Sequence, residues 1–567
     1  MSNYPLSDSS LLRRLREGSI GTGAVLTGPF GPRRVTYADQ TASGQALDFV
    51  ESYIRDTVLT GYANTHTEAS STGAGTGALR EQARELIHRS VGAGPGDVVL
   101  FCGSGSTTAV NKLVALLGLR VPENLDDTYG WSAHIPAADR PVVFVGPYEH
   151  HSNVLPWRES IADVIEIGSD GRGNPDLDDL RQALTTYAER PLRIGSFSAA
   201  SNVTGLLTDV AAISAVLREH GALSIWDYAA GGPYLPITMD DKDAIFLSPH
   251  KFPGGPQTPG VLVVGKHLLV NKVPTVPGGG TVAFVDPEGH RYLDDPIARE
   301  EGGTPAIVES IRAGLVFGVK EAVGTELIAS QEHALWHRAR ERWAGDDRIE
   351  ILGDLESTRL PIVSFQIRAG ERYLHHNYVV RLLNDLFGIQ ARGGCSCAGP
   401  YGHRLLGIGP ELSRRFEHEI EDGWEGIKPG WSRLNFAYFL SETVADYLIE
   451  SVALIASYGD RLLPDYRFSP VTGQWRHRDF SPSLPNLSDL ALHPDGAVTQ
   501  PAAPAQLGED VLPAQLAEAR ARLTARSSPV DGAGAKLPGP FEKLRWFLLP
   551  DECLDGWVGA YGDGTPL

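Results

Sequence analysis

The chain has 567 residues, 42% hydrophobic and 21% charged, an ordinary globular composition with enough length for two or more buried cores. Its formal net charge of -20 argues against nucleic acid as a partner, because displacing phosphate counterions takes a basic face. The N-terminal stretch MSNYPLSDSSLLRRLREG lacks an apolar signal core and no apolar run approaches bilayer length, so a cytoplasmic location without membrane partners is expected.

Residues 1–35 read as an N-terminal arm. From 37 to 266 helical patterns alternate with short apolar runs such as VVFV and GVLVVGK, which predicts an α/β domain over 36–300 with a largely buried sheet. In FCGSGSTTAVNKLVALLGL a glycine-rich turn enters an apolar-periodic helix. Its backbone N–H groups and the hydroxyls of Ser106 and Thr107 suit a phosphate, with plain helix capping as the alternative. In GPYEHHSNVLPW, His150 follows a buried strand and is free to stack on a flat ring, although a satisfied structural histidine is commoner. The adjacent Glu149, His150 and His151 give no metal expectation, since neighbouring side chains diverge and no spaced second ligand pair occurs.

A covering helix is predicted over 208–221, capped by Thr208 or Asp209, with Val210, Ile213, Val216 and Leu217 as its apolar stripe. SIWDYAAGG then places Asp227 at the end of an apolar strand. A carboxylate there is able to keep a pyridine nitrogen protonated; a turn former or helix cap is the bland reading. DAIFLSPHKFPGG puts Ser248, His250 and Lys251 after the next buried run. A desolvated lysine has a lowered pKa and suits imine formation with an aldehyde cofactor, whereas most strand-end lysines only snorkel.

A smaller α/β domain is predicted over 301–457, with helices at 306–323, 378–386 and 443–456 and strand-like IVSFQI and RLNFAYF between them. Within it RGGCSCAGP carries Cys395 and Cys397. A redox pair or half of a metal site are alternatives to a reactive thiol, but CxC spacing strains a disulfide and lacks the second half of a zinc motif. Beyond Tyr458 the composition turns to Pro, Ala and Ser, so 458–567 reads as a partly flexible extension with a stripe of Leu512, Leu516, Ala519 and Leu523. Its apolar LRWFLLP segment, near Trp557, is expected to dock on the body or on a partner.

These motifs, with SNVTG at 201–205, PGGGT at 277–281 and EGGTP at 301–305, occur in the order found in cysteine desulfurases and selenocysteine lyases. Over 37–457 the chain resembles this class V aminotransferase family of pyridoxal-phosphate enzymes. The resemblance implies a fold-type I α/β transferase with a large mixed-sheet domain and a smaller α/β domain, here followed by the C-terminal extension. It also implies a homodimer with the active site at the subunit interface. Pyridoxal 5'-phosphate would be held on Lys251 as a Schiff base, with Asp227 at the pyridine nitrogen and His150 stacked on the ring. Ser106, Thr107, Ser248 and His250 would hold the phosphate, joined by Thr304 from the other subunit. Asn202 falls near the cofactor hydroxyl and the substrate carboxylate, and His66 on the substrate side. Arg392 falls on the α-carboxylate, a task suited to a guanidinium fork.

Cys397 aligns with the cysteine that takes sulfur from L-cysteine, which would leave as alanine after Lys251 moves the Cα proton, with a sulfur-acceptor protein to follow. The departures are specific. Ala230 stands where the family commonly has glutamine, Thr67 where arginine is usual, and Cys395 where histidine is usual. They leave open an aminotransferase, epimerase or C–S lyase acting on another amino acid, and also a binding protein of this fold without turnover.

Overall fold

The computed structural model describes residues 5–525 and 537–552, so Trp557 and Cys553 lie outside the described residues. The apolar runs form one seven-stranded sheet of β1 (Asp97–Cys102), β2 (Val142–Val145), β3 (Asp163–Glu166), β4 (Arg193–Ser198), β5 (Leu223–Asp227), β6 (Ala244–Leu247) and β7 (Gly260–Gly265), ordered β1-β7-β6-β5-β4-β2-β3. Strands β2 to β6 pair in parallel; β7 runs antiparallel to both β1 and β6. Every residue of β2, β6 and β7 is buried, as expected where helices cover both faces of a sheet. Because the parallel strands end on one edge, Ser198, Asp227 and the residues after Leu247 emerge together there. β7 begins at the same edge, with Gly260 opposite Cys102. Open α/β sheets bind ligands at this carboxyl edge.

Helix α1 (Gly105–Leu116) follows β1. Helix α2 (Val210–Glu219) is capped by Asp209, whose carboxylate accepts the Ala212 N–H at 2.9 Å, which decides between the two candidate caps. Helix α3 (Ile307–Val323) leads into the smaller domain. Its antiparallel sheet comprises β8 (Ile349–Ile351), β9 (Ile362–Ala369), β10 (Arg372–Leu374), β11 (Arg392–Gly394) and β12 (Trp431–Asn435). The strand expected through RLNFAYF stops at Asn435, and a turn follows in which the Leu440 N–H donates to the Ala437 carbonyl. Among the described residues no helix is long and apolar enough to cross a membrane.

The chain beyond Tyr458 differs from an appended connector. Helix α6 (Leu512–Thr524) packs on α4 (His376–Phe387) and α5 (Glu442–Tyr458), and Leu512, Ala519, Leu523, Phe541, Phe547 and Leu549 join the smaller domain's own core. Trp546 stacks on His376 at 5.7 Å between ring centroids and donates its indole N–H to the Ile427 carbonyl at 3.1 Å. The N-terminal arm closes the same assembly: the Leu507 N–H donates to the Gly23 carbonyl at 2.8 Å, and buried Arg33 pairs with Glu518 at 3.1 Å. Each large apolar side chain buried this way contributes about 1.5–3 kcal/mol, so several together rival a whole domain's stability of about 5–15 kcal/mol. Truncation after Phe480 is therefore expected to lower the melting temperature by about 10 °C or more, or to leave the protein insoluble. Unchanged calorimetric melting would reduce these contacts to a surface decoration.

Candidate active site

Lys251 ends the short turn Pro249–Lys251 that follows β6, and Asp227 ends the neighbouring β5. Both line a cavity of about 870 Å³ at the carboxyl edge of the sheet. Burial drives the Lys251 ammonium down to about 8; Asp227 opposes the shift, while Arg433 and Arg392 add to it. Asp227 is itself pushed up by burial, only partly offset by the Ala229 N–H, which donates to its Oδ1 at 2.8 Å, and by Lys251. A base and an acid that each lower the other's cost of ionising thus face one space.

His150 sits in the cavity wall, with its Nδ1 accepting the Ser152 N–H at 3.1 Å. That bond leaves the ring proton for Nε2, and burial followed by the nearby Lys251 charge lowers the imidazole to about 3, so a neutral ring faces the cavity. The preceding Glu149 explains the loop's position. Wholly enclosed, it accepts the Ser198 N–H at 2.8 Å, the Ser198 hydroxyl at 2.6 Å and the Asn153 amide at 2.7 Å, which ties the His150 loop to the end of β4. Burial nevertheless raises it to about 7.

One end of the cavity is the N-terminus of α1. Gly105 has φ +55, and a Cβ there would stand 3.0 Å from His250 Cε1 and 3.3 Å from Ser248 Oγ, so glycine is required both by conformation and by space. The Ser106 N–H donates to Ser248 Oγ at 3.0 Å, and the Thr107 hydroxyl bonds that of Ser152 at 2.7 Å. His250 is lowered to about 4 by burial and then by Lys251. Backbone N–H groups, hydroxyls and a helix N-terminus on one spot form an anion cradle.

The other end carries two guanidinium groups. Arg392 on β11 lies directly across from Arg433 on β12. Like charges opposite one another destabilise a strand pair, and Asp39 relieves this by bonding Arg392 at 3.1 Å and Arg433 at 3.0 Å. Arg433 is almost wholly buried, its Nε has no partner, and it too lines the cavity.

Cys397 lines the cavity wall near Lys251, on a loop whose Ser396 and Cys397 both adopt left-handed φ, +53 and +56. Asn202 Nδ2 donates to the Ser396 carbonyl at 2.9 Å, the His151 N–H to the Cys397 carbonyl at 2.9 Å, and the Gly399 N–H to His151 Nε2 at 3.0 Å. Of the residues singled out in the sequence, Lys251, Asp227, His150, Ser106, Thr107, Ser248, His250, Asn202, Arg392 and Cys397 line this one cavity. His66 and Thr304 do not line it; they are exposed and joined through Asn64, which bonds them at 2.7 and 3.3 Å. Arg433, Asp39 and His151 were not anticipated as parts of the site.

The sequence profile of the Aminotransferase class-V family matches residues 36–409. The chain belongs to this family. A probable cysteine desulfurase of Staphylococcus epidermidis is 29% identical over 374 residues, covering 65% of this chain and 84% of that protein. One from Staphylococcus aureus is 27% identical over 376 residues, with the same coverage. Among solved structures, a cysteine desulfurase of Thermococcus onnurineus superposes with TM-score 0.61 at 24% identity, over 75% of this chain and 95% of that one. One from Escherichia coli gives 0.58 at 22% identity, over 78% and 97%. The fold is that of these class V, pyridoxal-phosphate-dependent transferases, and the matched region ends before α5 and all of the extension.

Proposed function

We propose that this class V enzyme uses pyridoxal phosphate to remove sulfur from L-cysteine, with Cys397 as the first acceptor. The observation that carries the reading is one cavity lined by Lys251, Asp227, paired arginines and a cysteine on a pinned loop. The donor set fits the cofactor: the cradle at Gly105, Ser106, Thr107, Ser248 and His250 matches a phosphate, buried Asp227 a pyridine nitrogen, and the neutral His150 ring a flat partner. When bound, the group supplies an electron sink for bonds at the substrate's Cα. Ala230 lines the cavity without a polar side chain, so one hydrogen bond common in the family is missing here.

Asp227 holds a proton at the ring nitrogen. Arg392 and Arg433, which both line the cavity, fix the substrate carboxylate. Lys251, with its pKa near 8, takes the Cα proton as general base. The Cys397 sulfur then bonds the substrate sulfur while the substrate's C–S bond breaks. The electron pair stays with the substrate carbon, which gains a proton and departs as alanine. The deciding experiment adds a panel of amino acids to holoenzyme while following the cofactor spectrum, then assays sulfide and alanine. Cysteine is expected to give both, and keto acid or racemised product from another amino acid would select a rival activity.

The active unit we propose is a homodimer. The Thr304 loop packs on the PGGGT loop, with the Gly303 N–H donating to the Gly279 carbonyl at 2.7 Å, and Val276, Phe284 and Val285 of that neighbourhood are exposed. A second copy covering them would bring Thr304 toward its partner's phosphate cradle. Sedimentation velocity should find a dimer at assay concentration, and a fully active monomer would contradict the arrangement.

A further inference from the structure

We propose that Cys395 is a second sulfur carrier, which takes the transferred sulfur from Cys397 and hands it to a macromolecular thiol too large for the cavity. The inference rests on the desulfurase reading above. Both are free, exposed thiols, but Cys397 also lines the cavity and Cys395 does not. Only Ser396 separates them. The Ala398 N–H donates to the Cys395 carbonyl at 3.2 Å, which closes a turn whose two central residues, Ser396 and Cys397, are both left-handed.

Two consecutive non-glycine residues in that region cost about 1–2 kcal/mol each, so the turn persists because Asn202 and His151 hold its carbonyls. Such strain is held where geometry matters. Here the geometry keeps one thiol at the cavity and the other outside it, while two Cα–Cα steps limit their separation to about 7.6 Å. The outer sulfur of a Cys397 persulfide stands one S–S bond, about 2 Å, beyond the thiol, which narrows the gap that Cys395 must close.

The chemistry balances without an added oxidant. Cys395 thiolate attacks the outer sulfur of the Cys397 persulfide, forming a new S–S bond. The bond from that sulfur to Cys397 breaks, its electron pair leaves on Cys397 as thiolate, and the proton on the outer sulfur travels with it. Attack on the inner sulfur would instead release sulfide and form a Cys395–Cys397 disulfide. The one-residue spacing strains that ring, which favours transfer of the outer sulfur. The recipient is a thiol on a protein or other macromolecule, since a cavity of about 870 Å³ excludes a folded partner.

The test charges holoenzyme with L-cysteine in the absence of reductant, quenches by alkylation over time and locates the labile sulfur by fragment mass spectrometry. In the wild type, sulfur is expected on Cys397 first and on Cys395 later. In Cys395→Ser it should accumulate on Cys397, and discharge to a thiol-bearing dextran should fall about tenfold relative to discharge by dithiothreitol. Cys395→Ala should behave alike, since the missing thiol is the cause. Equal discharge to the dextran thiol, or sulfur never seen on Cys395, would overturn the relay while leaving the desulfurase reading intact. No persulfide on either cysteine in cofactor-loaded wild type would overturn that reading and the relay with it.

Discussion

Lys251→Ala is expected to reduce turnover of any amino acid by about a thousandfold or more, the scale of losing a positioned acid–base group, while leaving the fold and the phosphate cradle in place. The cradle is built from Gly105, Ser106, Ser248 and His250, and none of their contacts runs through the Lys251 side chain. Borohydride should therefore fix cofactor to the wild type at Lys251, and the variant should release its cofactor on denaturation. The direction of the pH effect follows from the lysine's own titration. A folded pKa near 8, below the ordinary 10.5, leaves the amine protonated and inert at lower pH and neutral above it. Covalent loading of cofactor-free protein should thus accelerate about tenfold per pH unit up to about 8 and then level. A flat profile, or labelling of another lysine, would remove Lys251 from the centre of the mechanism.

What could be read from the sequence was what the sheet makes local. Asp227 and Lys251 each follow a short, wholly apolar run, and a strand that is buried along its length delivers the residue after it to the edge. Gly105 and its hydroxyl neighbours were legible for the same reason, since one turn joins β1 to α1. Arg433 was not. It sits inside WSRLN, where nothing distinguishes it from a strand residue with a snorkelling stem, and it meets Arg392 only through antiparallel register between strands β11 and β12. Asp39, which joins the two arginines, comes from the far end of the chain. Pairing across such distances has no local signature.

The docking of LRWFLLP was legible from its apolar character, but the depth to which the extension enters the core was not read from composition, although a usable signal was present. Between Val444 and Ala456, helix α5 leaves only Asp446 and Glu450 unburied. A helix apolar on nearly all sides must be covered on nearly all sides, and the sheet of the smaller domain covers one. The stripe of Leu512, Ala519 and Leu523 supplies another cover, which turns a Pro/Ala-rich tail into part of the core. The smaller domain's core thereby includes residues outside the family match.

Cys397→Ser separates the desulfurase from every rival that works through the same cavity. The variant retains the cradle, Asp227, Lys251 and both arginines, so cofactor and cysteine should still bind and the spectrum should still respond when cysteine is added. What it loses, on the proposed mechanism, is the nucleophile. A serine hydroxyl in place of the thiol gives no persulfide, so alanine release should fall by about a hundredfold, equivalent to about 2.7 kcal/mol at the transition state. The pinned backbone sharpens the comparison. Asn202 and His151 hold Ser396 and Cys397 through main-chain carbonyls, so the substitution removes a sulfur atom without releasing the loop. Residual alanine in the variant should rise if Cys395 or an added thiol can reach the substrate directly, and mass spectrometry would then find sulfur there. An aminotransferase, an epimerase or a C–S lyase needs no acceptor thiol at this position. Normal processing of cysteine by Cys397→Ser would accordingly move the function to one of those activities.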